Sequence, residues 1–560
     1  MSSLLIKNSS SSPAVGRKEG ILKGRSPLSR GSEGQPPPAS PTSHRRAGVL
    51  LPLSALPSRH GVGDMGAFAM RFVDLLRQAN VSCWQILPIH PLGYGNSPYQ
   101  PYSSIAGDPL FISLDALVAE GLLPEAEEFQ PCAVSVDYEA TRRYKEKALQ
   151  KAFRAFVPTP AYEAFAERPW VRPFAVFMAF KKANQMRCWI DWPEAQKSWP
   201  GEKGVDLIPF EEQIRFQMFA QFLFFTQWTA LKSYANERGV KIIGDMPIYV
   251  GLDSVDVWAN RESFLLDSDG QPTFIAGVPP DYFTKTGQRW GNPLYDWDFL
   301  RRNGFRFWMD RLRGVSELFD IIRIDHFRGF DTYWKIPADC PTAERGEWVE
   351  APGYDLFDTI YQEMPGINLI AEDLGQLRDE VYTLRDHYAL PGMKVLQFTF
   401  APGKKLAPKR WDKSVAGIEN SPSDRPISET HGDTFSPPPT SAAGDSRMVV
   451  YTGTHDNQTT TGWYRSMSIK KRLLTQKSLL MGGYGFGRVS KRLVRLALDD
   501  VAELAVIPAQ DLLGASDEAR INTPGTVGPP NWEWKLADFD GMEKGLRFFQ
   551  RVVQKSGRGQ

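Results

Sequence analysis

Four short apolar runs in this 560-residue chain end in a carboxylate, and those ends are where chemistry would be carried. They read Gly244-Asp245-Met246-Pro247, Arg323-Ile324-Asp325-His326, Ala371-Glu372-Asp373-Leu374 and Thr454-His455-Asp456-Asn457. Asp325 and Asp456 also have His or Arg beside them. A single Asp after a strand is most often a helix cap, its oxygen accepting from a backbone N–H. Four acids at ordered strand ends outrun that reading. Together they form a cluster able to give and take protons or to attack an electrophilic carbon.

Such a cluster needs elements that bring distant residues to one place. Short apolar runs occur at Gly48–Leu53, Cys83–Ile89, Lys241–Met246, Asp320–Ile324, Asn368–Ala371, Lys394–Phe398, Met448–Tyr451 and Ala505–Pro508. Each is bounded by polar or turn residues and rich in β-branched or aromatic side chains, as buried parallel strands are. Helical periodicity separates most of them, as in Phe68, Phe72, Leu75, Leu76 and Ala79, or Trp308, Met309, Leu312 and Val315. Strict alternation of eight strands with helices predicts an α/β fold, a (β/α)₈ TIM barrel, with a doubly wound open sheet as runner-up. In such a barrel function gathers at the strand ends.

Two interruptions break the alternation. About 150 residues separate the second and third runs, much of them helix-like, which predicts a helical subdomain over about 111–237 and a helix from Glu211 to Glu237. Segment 402–446 is rich in Pro, Ser, Asp and Gly without periodicity and reads as a disordered insert. Gly482–Gly487 (GGYGFG) follows no strand, so it predicts a turn and not a dinucleotide site.

Composition bounds the partners. The chain is 42% hydrophobic and 23% charged with net charge +1, so it carries no electrostatic footprint for nucleic acid and no polybasic membrane patch. No apolar run is long enough to span a bilayer. A neutral substrate suits this balance, and sixteen Trp, several beside Gly, Asn or Asp, suit sugars. The four cysteines are scattered without CxxC spacing and read as free thiols. Without HExxH, an EF-hand or a His/Cys cluster, neither metal nor other cofactor is expected. Residues 1–46 hold eleven Ser, eight Lys or Arg and two acids, and read as a plastid-type transit peptide ahead of a catalytic region 47–560, with a cytoplasmic location as the alternative.

The motifs resemble the α-amylase clan, and specifically the amylomaltase or disproportionating-enzyme family of 4-α-glucanotransferases. The resemblance runs from about Ala47 to Lys535. It rests on the four strand ends and on Ser97-Pro98-Tyr99-Gln100, Gly277-Val278-Pro279-Pro280-Asp281-Tyr282-Phe283, Gln288-Arg289-Trp290-Gly291-Asn292-Pro293, Pro508-Ala509-Gln510-Asp511-Leu512-Leu513-Gly514 and Asn522-Thr523-Pro524-Gly525-Thr526. It implies Asp325 as nucleophile, Glu372 as general acid/base and Asp456 as transition-state stabiliser. It further implies a sugar-binding shell of Ser97, Tyr99, Asp245, Trp290, Asn292, Arg323, His326, Asp373, Phe398, His455 and Asn522. Implied substrates are maltooligosaccharides and starch- or glycogen-derived α-1,4-glucans, with glucose as acceptor.

Elementary chemistry fits this division. Retaining cleavage needs one carboxylate at the anomeric carbon and one protonated carboxyl at the leaving oxygen. Arg323 lies two residues from Asp325, hence on the same side of its strand, where a fixed guanidinium favours the ionised nucleophile. Glu372 must rest protonated, which predicts an apolar or anionic setting. The same carboxylates would equally serve a retaining α-amylase-like hydrolase. The Pro279-Pro280 loop ending in Trp290-Gly291-Asn292 reads as a lid that excludes water and favours transfer. Gln458 stands where the family commonly has an acid after the His-Asp-Asn triplet.

Overall fold

The computed structural model describes residues 45–559 except 128, 203, 281–283, 376, 405 and 407–445. The leader (save its last two residues), most of segment 402–446 and the tip of the proposed lid thus lie outside the described residues. The eight barrel strands are β1 (Arg46–Leu50), β2 (Cys83–Gln85), β3 (Lys241–Met246), β4 (Ile321–Ile324), β5 (Leu369–Ala371), β6 (Gly392–Val395), β7 (Met448–Tyr451) and β8 (Leu504–Pro508). All pair in parallel, in the spatial order β6-β7-β8-β1-β2-β3-β4-β5, so chain neighbours are sheet neighbours throughout. The β5–β6 seam closes the ring, with the Ala371 amide donating to the Pro391 carbonyl at 2.9 Å. This is the TIM barrel that the alternation predicts.

Period-two alternation then dictates the interior. Leu50, Cys83, Ile243, Ile321, Ile370, Met393, Val395, Val449, Tyr451, Leu504 and Val506 form one buried inner cluster. The next inward positions beyond Ile243, Ile321 and Ile370 are Asp245, Arg323 followed by Asp325, and Glu372. The functional acids are therefore the top layer of the barrel's own packing. The outward set, such as Trp84, Ile242, Ile322, Ile324, Val450, Ala505 and Ile507, joins the surrounding helices in the main core. Helix Arg306–Leu318, for example, buries Trp308, Met309, Leu312 and Val315.

Three features add to the expectation. The sixth strand ends at Val395, and Leu396–Thr399 forms one helical turn. A short apolar run cannot by itself distinguish these. Among the described residues six α-helices stand between β2 and β3, Leu114–Ala119, Tyr138–Ala155, Pro160–Ala166, Val171–Ala183, Glu194–Glu202 and Glu211–Glu237. The last is also the barrel's own second helix, since its Trp228 indole donates to the Leu318 carbonyl at 2.9 Å and its Gln221 amide grips both backbone groups of Gly107 at 2.8 Å. Finally, Gln288–Pro293, Phe274–Val278, Thr332–Pro337 and Glu347–Glu350 pair side by side into an antiparallel sheet built from the connections after β3 and β4. The GGYGFG stretch is the link between helices Ile469–Met481 and Val489–Asp499.

Candidate active site

The cluster is organised around Arg323, which is buried on β4. Its Nη1 donates to both oxygens of Asp245 (2.6 and 2.7 Å) and to Oδ1 of Asp325 (3.0 Å). β3 and β4 run in register with Asp245 opposite Arg323, so the pairing brings the cation and its first acid together directly. Asp245 in turn accepts from the Tyr99 hydroxyl at 3.0 Å. Burial, and then the Asp245 charge, push that hydroxyl well above its ordinary range, so it stays protonated.

Glu372 stands beside Asp325 because Ile324 pairs with Ala371, and each acid is the next residue. Neighbouring strands lie about 4.8 Å apart, so the two acids leave adjacent strands at the same level, the arrangement that a retaining pair about 5–5.5 Å apart needs. Glu372 accepts the His326 amide on Oε2 at 2.7 Å, and its carbonyl accepts the Phe327 amide at 3.1 Å. His326 adopts the left-handed conformation (φ 51°, ψ 49°) that most residues avoid. Burial first, and the Asp325 charge second, push Glu372 up to about 8, against the pull of Arg323. The His326 ring meets the Trp290 indole edge-on at 4.9 Å, and burial drops its imidazole to about 4, so it is neutral.

Asp456 comes from the turn after β7 and has the opposite setting. Its Oδ1 accepts from the Asn522 side chain at 2.6 Å, and its Oδ2 lies 3.3 Å from His455 Nε2. Burial would push this acid up. His455 and Asn522 override it and hold Asp456 at about 2. Burial lowers His455, yet the charge and hydrogen bond of Asp456, together with the Asp245 charge, outweigh it and leave the imidazole raised. His455 Nε2 also lies 2.8 Å from the Tyr99 hydroxyl, and the two rings stack at 5.2 Å. One unbroken line of contacts thus runs Asp325, Arg323, Asp245, Tyr99, His455, Asp456, Asn522.

Ser97 shapes this site from one side, its hydroxyl accepting the Tyr99 amide at 3.3 Å. The remaining candidates fall elsewhere. Asp373 is not in the cluster: its side chain, 2% exposed, accepts from Arg385 at 2.5 Å and from the Met393 amide at 2.7 Å. It latches the β5–β6 seam, because alternation turns it away from Glu372. Asn292 is buried with both amide atoms engaged, accepting from Gln100 at 3.0 Å and donating to the Val250 carbonyl at 2.9 Å. It braces the Ser97–Gln100 turn against the segment after β3. Trp290-Gly291-Asn292 is a strand of the antiparallel sheet, so this part of the expected lid is fixed. Phe398 lies on the helical turn after β6, 56% exposed, and joins no contact of the cluster. Gln458 donates to Asp517 at 2.7 Å, and its carbonyl accepts from Gln397 at 2.8 Å. Sequence reasoning passed over Arg520, which donates to the Asp456 and Asn522 carbonyls at 2.7 Å each; its nearness in sequence to Asn522 was the available signal. Among the described residues, no group of three or more His, Cys, Asp or Glu could hold a metal ion, and no helix is long and apolar enough to cross a membrane.

A parallel barrel whose rim holds one acid protonated near neutrality, one ionised and one against a buried arginine defines an acid–base enzyme of the carbohydrate-active barrel class. The family model for 4-alpha-glucanotransferases matches residues 51–419 and 429–540, and the chain belongs to that transferase family. It is 44% identical to the 4-alpha-glucanotransferase of Thermus thermophilus, over 88% of this chain and 95% of that one. It is 38% identical to the chloroplastic/amyloplastic 4-alpha-glucanotransferase DPE1 of Arabidopsis thaliana, over 90% and 84% respectively. Among solved structures it is similar to amylomaltase from Streptococcus agalactiae in complex with acarbose, with TM-score 0.80, 32% identity and coverage of 92% of this chain and 100% of that one.

Proposed function

We propose that the protein transfers segments of α-1,4-glucans to the 4-hydroxyl of glucose or of another glucan by a retaining double displacement. The observation that carries this is the pairing on adjacent strands: Asp325 beside a buried guanidinium, Glu372 held near 8. Oδ1 of Asp325 is engaged by Arg323, so Oδ2 is free to attack the anomeric carbon as the glycosidic C–O bond breaks. His326 pins Oε2 of Glu372, leaving Oε1 to deliver the proton to the departing glucan oxygen. The acceptor's 4-hydroxyl then attacks the same carbon, Glu372 takes its proton, and Asp325 is released. Asp456, kept ionised, grips the sugar hydroxyls more tightly as the ring flattens, which is the differential binding that lowers the barrier. Tyr99 and His455 offer a stacked surface for the same ring, and Trp290 with His326 lines the acceptor side.

Transfer, and not hydrolysis, is the activity that family membership supports, and the neutral charge balance suits maltooligosaccharide, starch or glycogen-derived substrates. Incubation with maltotriose will yield glucose and a ladder of longer oligomers; glucose and maltose with no longer products would sink the transferase reading. Asp325→Asn will lower turnover on the order of 10⁴-fold while leaving the fold intact, and near-normal turnover in that variant would reject the nucleophile. The basic, Ser-rich leader, together with plant relatives named chloroplastic/amyloplastic, supports delivery to a plastid. A fluorescent fusion to residues 1–46 that stays in the cytosol would refute that location.

A further inference from the structure

We infer that Asp511 and Arg520, in the segment that follows β8, are positioning residues for the Asp456 carboxylate; this rests on the role proposed for Asp456 above. The turn that carries His455 and Asp456 leaves β7 and re-enters regular structure at helix Thr460–Ser466. Asp511, 1% exposed, holds both ends of that turn at once. Its Oδ2 accepts from the Thr452 hydroxyl (2.5 Å) and the Thr460 hydroxyl (2.6 Å), and its Oδ1 from the Thr460 amide (2.7 Å). The Thr460 amide can only donate and both hydroxyls are able to, so the two oxygens of Asp511 tie the ends of the turn together through three hydrogen bonds to one buried side chain.

The same segment grips the turn again between those ends. Asp517 accepts from the Gln458 side chain at 2.7 Å and the Thr459 amide at 3.0 Å. It sits so close that a Cβ on Gly462 would lie 1.9 Å from its Oδ1. The Asn522 amide donates to the His455 carbonyl at 3.2 Å. Arg520 completes the grip: Nη2 holds the carbonyl of Asp456 and Nε holds the carbonyl of Asn522, the two residues whose side chains bond at 2.6 Å. One rigid guanidinium fork therefore sets the spacing of that pair, a geometry the single ammonium of lysine cannot reproduce. The contacts fall at 452, 455, 456, 458, 459 and 460, bracketing Asp456. A strap whose task was only to fasten the chain end to the barrel would have no reason to hold the backbone of the acid itself.

The test uses the full-length enzyme with maltotriose. Arg520→Met will lower kcat about 10²-fold, the cost of a displacement near 1 Å, with KM and thermal midpoint nearly unchanged. Arg520→Lys, which keeps one contact of two, will recover part of that loss. Asp511→Ala, which removes all three contacts, will behave like Arg520→Met; if that variant does not fold, the Arg520 pair decides. The decisive measurement is a double-mutant cycle read with α-maltosyl fluoride, whose good leaving group keeps residual rates measurable. In an Asp456→Asn background, Arg520→Met will cost no more than about twofold. Full, additive loss there overturns the positioning role and leaves that of Asp456 standing. Near-normal turnover in Asp456→Asn alone removes both. A loss confined to KM, or one that only tracks the thermal midpoint, also overturns it.

Discussion

At the β4–β5 side of the barrel mouth, Glu372 takes the His326 amide and faces the Asp325 charge, and it is pushed up to about 8. At the β7–β8 side, Asp456 takes the Asn522 side chain, abuts His455 and is held at about 2. Burial raises both acids; at Glu372 it prevails over the pull of Arg323, whereas at Asp456 the His455 charge and the hydrogen bonds from His455 and Asn522 overcome it. A group that must carry a proton is placed beside another acid, whereas a group that must carry charge is surrounded by donors and strapped from behind. One fold thereby runs opposite carboxylate chemistry at two points of a single rim.

Breaking this contrast gives the largest effect. Glu372→Gln will lower turnover on maltotriose about 10²- to 10⁴-fold, the usual worth of a positioned acid/base. In the intact enzyme donor cleavage will fall as pH rises through about 8, where Glu372 loses its proton. The stability effects have opposite signs. Glu372 titrates higher folded than unfolded, so its favourable contribution is full below the unfolded value and is lost as pH rises through the folded one. Asp456 titrates lower folded, so its contribution is present above the unfolded value and is lost as pH falls through about 2. Thermal scans should therefore show Glu372→Gln a few degrees more stable near pH 8 and indistinguishable near pH 4, with Asp456→Asn less stable near pH 7. Shifts of the same sign in both variants would dissolve the contrast.

A smaller effect comes from the seam between the two sides. Asp373→Ala strips buried Arg385 of one of its two carboxylates, Asp386 remaining, and leaves the Met393 amide without its acceptor; it will cost about 1–3 kcal/mol in denaturant unfolding. Unchanged stability with a raised KM would return Asp373 to the sugar-binding shell. Smallest is Phe398→Ala, which will change stability by less than about 0.5 kcal/mol because the ring is exposed. Any effect it has should appear only in the KM for the acceptor.

The four acid-tipped runs were legible because strand periodicity is local: Ile243 facing inward puts Asp245 inward, and Ile321 does the same for Arg323 and Asp325. The latch role of Asp373 was half legible, since alternation turns it from Glu372 but cannot name Arg385 or the seam it closes. The antiparallel sheet was not legible, because its strands are contributed by two separate connections and pair only in space. Nor was the grip of Arg520 and Asp511, about fifty to seventy residues from the turn they hold.

Residue order alone determined which acids share the inner face of the barrel, because side-chain direction along a strand follows from backbone geometry at each residue. Only the tertiary structure decided which of those acids holds a proton. That depends on desolvation and on donors arriving from other strands, and both are properties of the packed barrel and of no single segment.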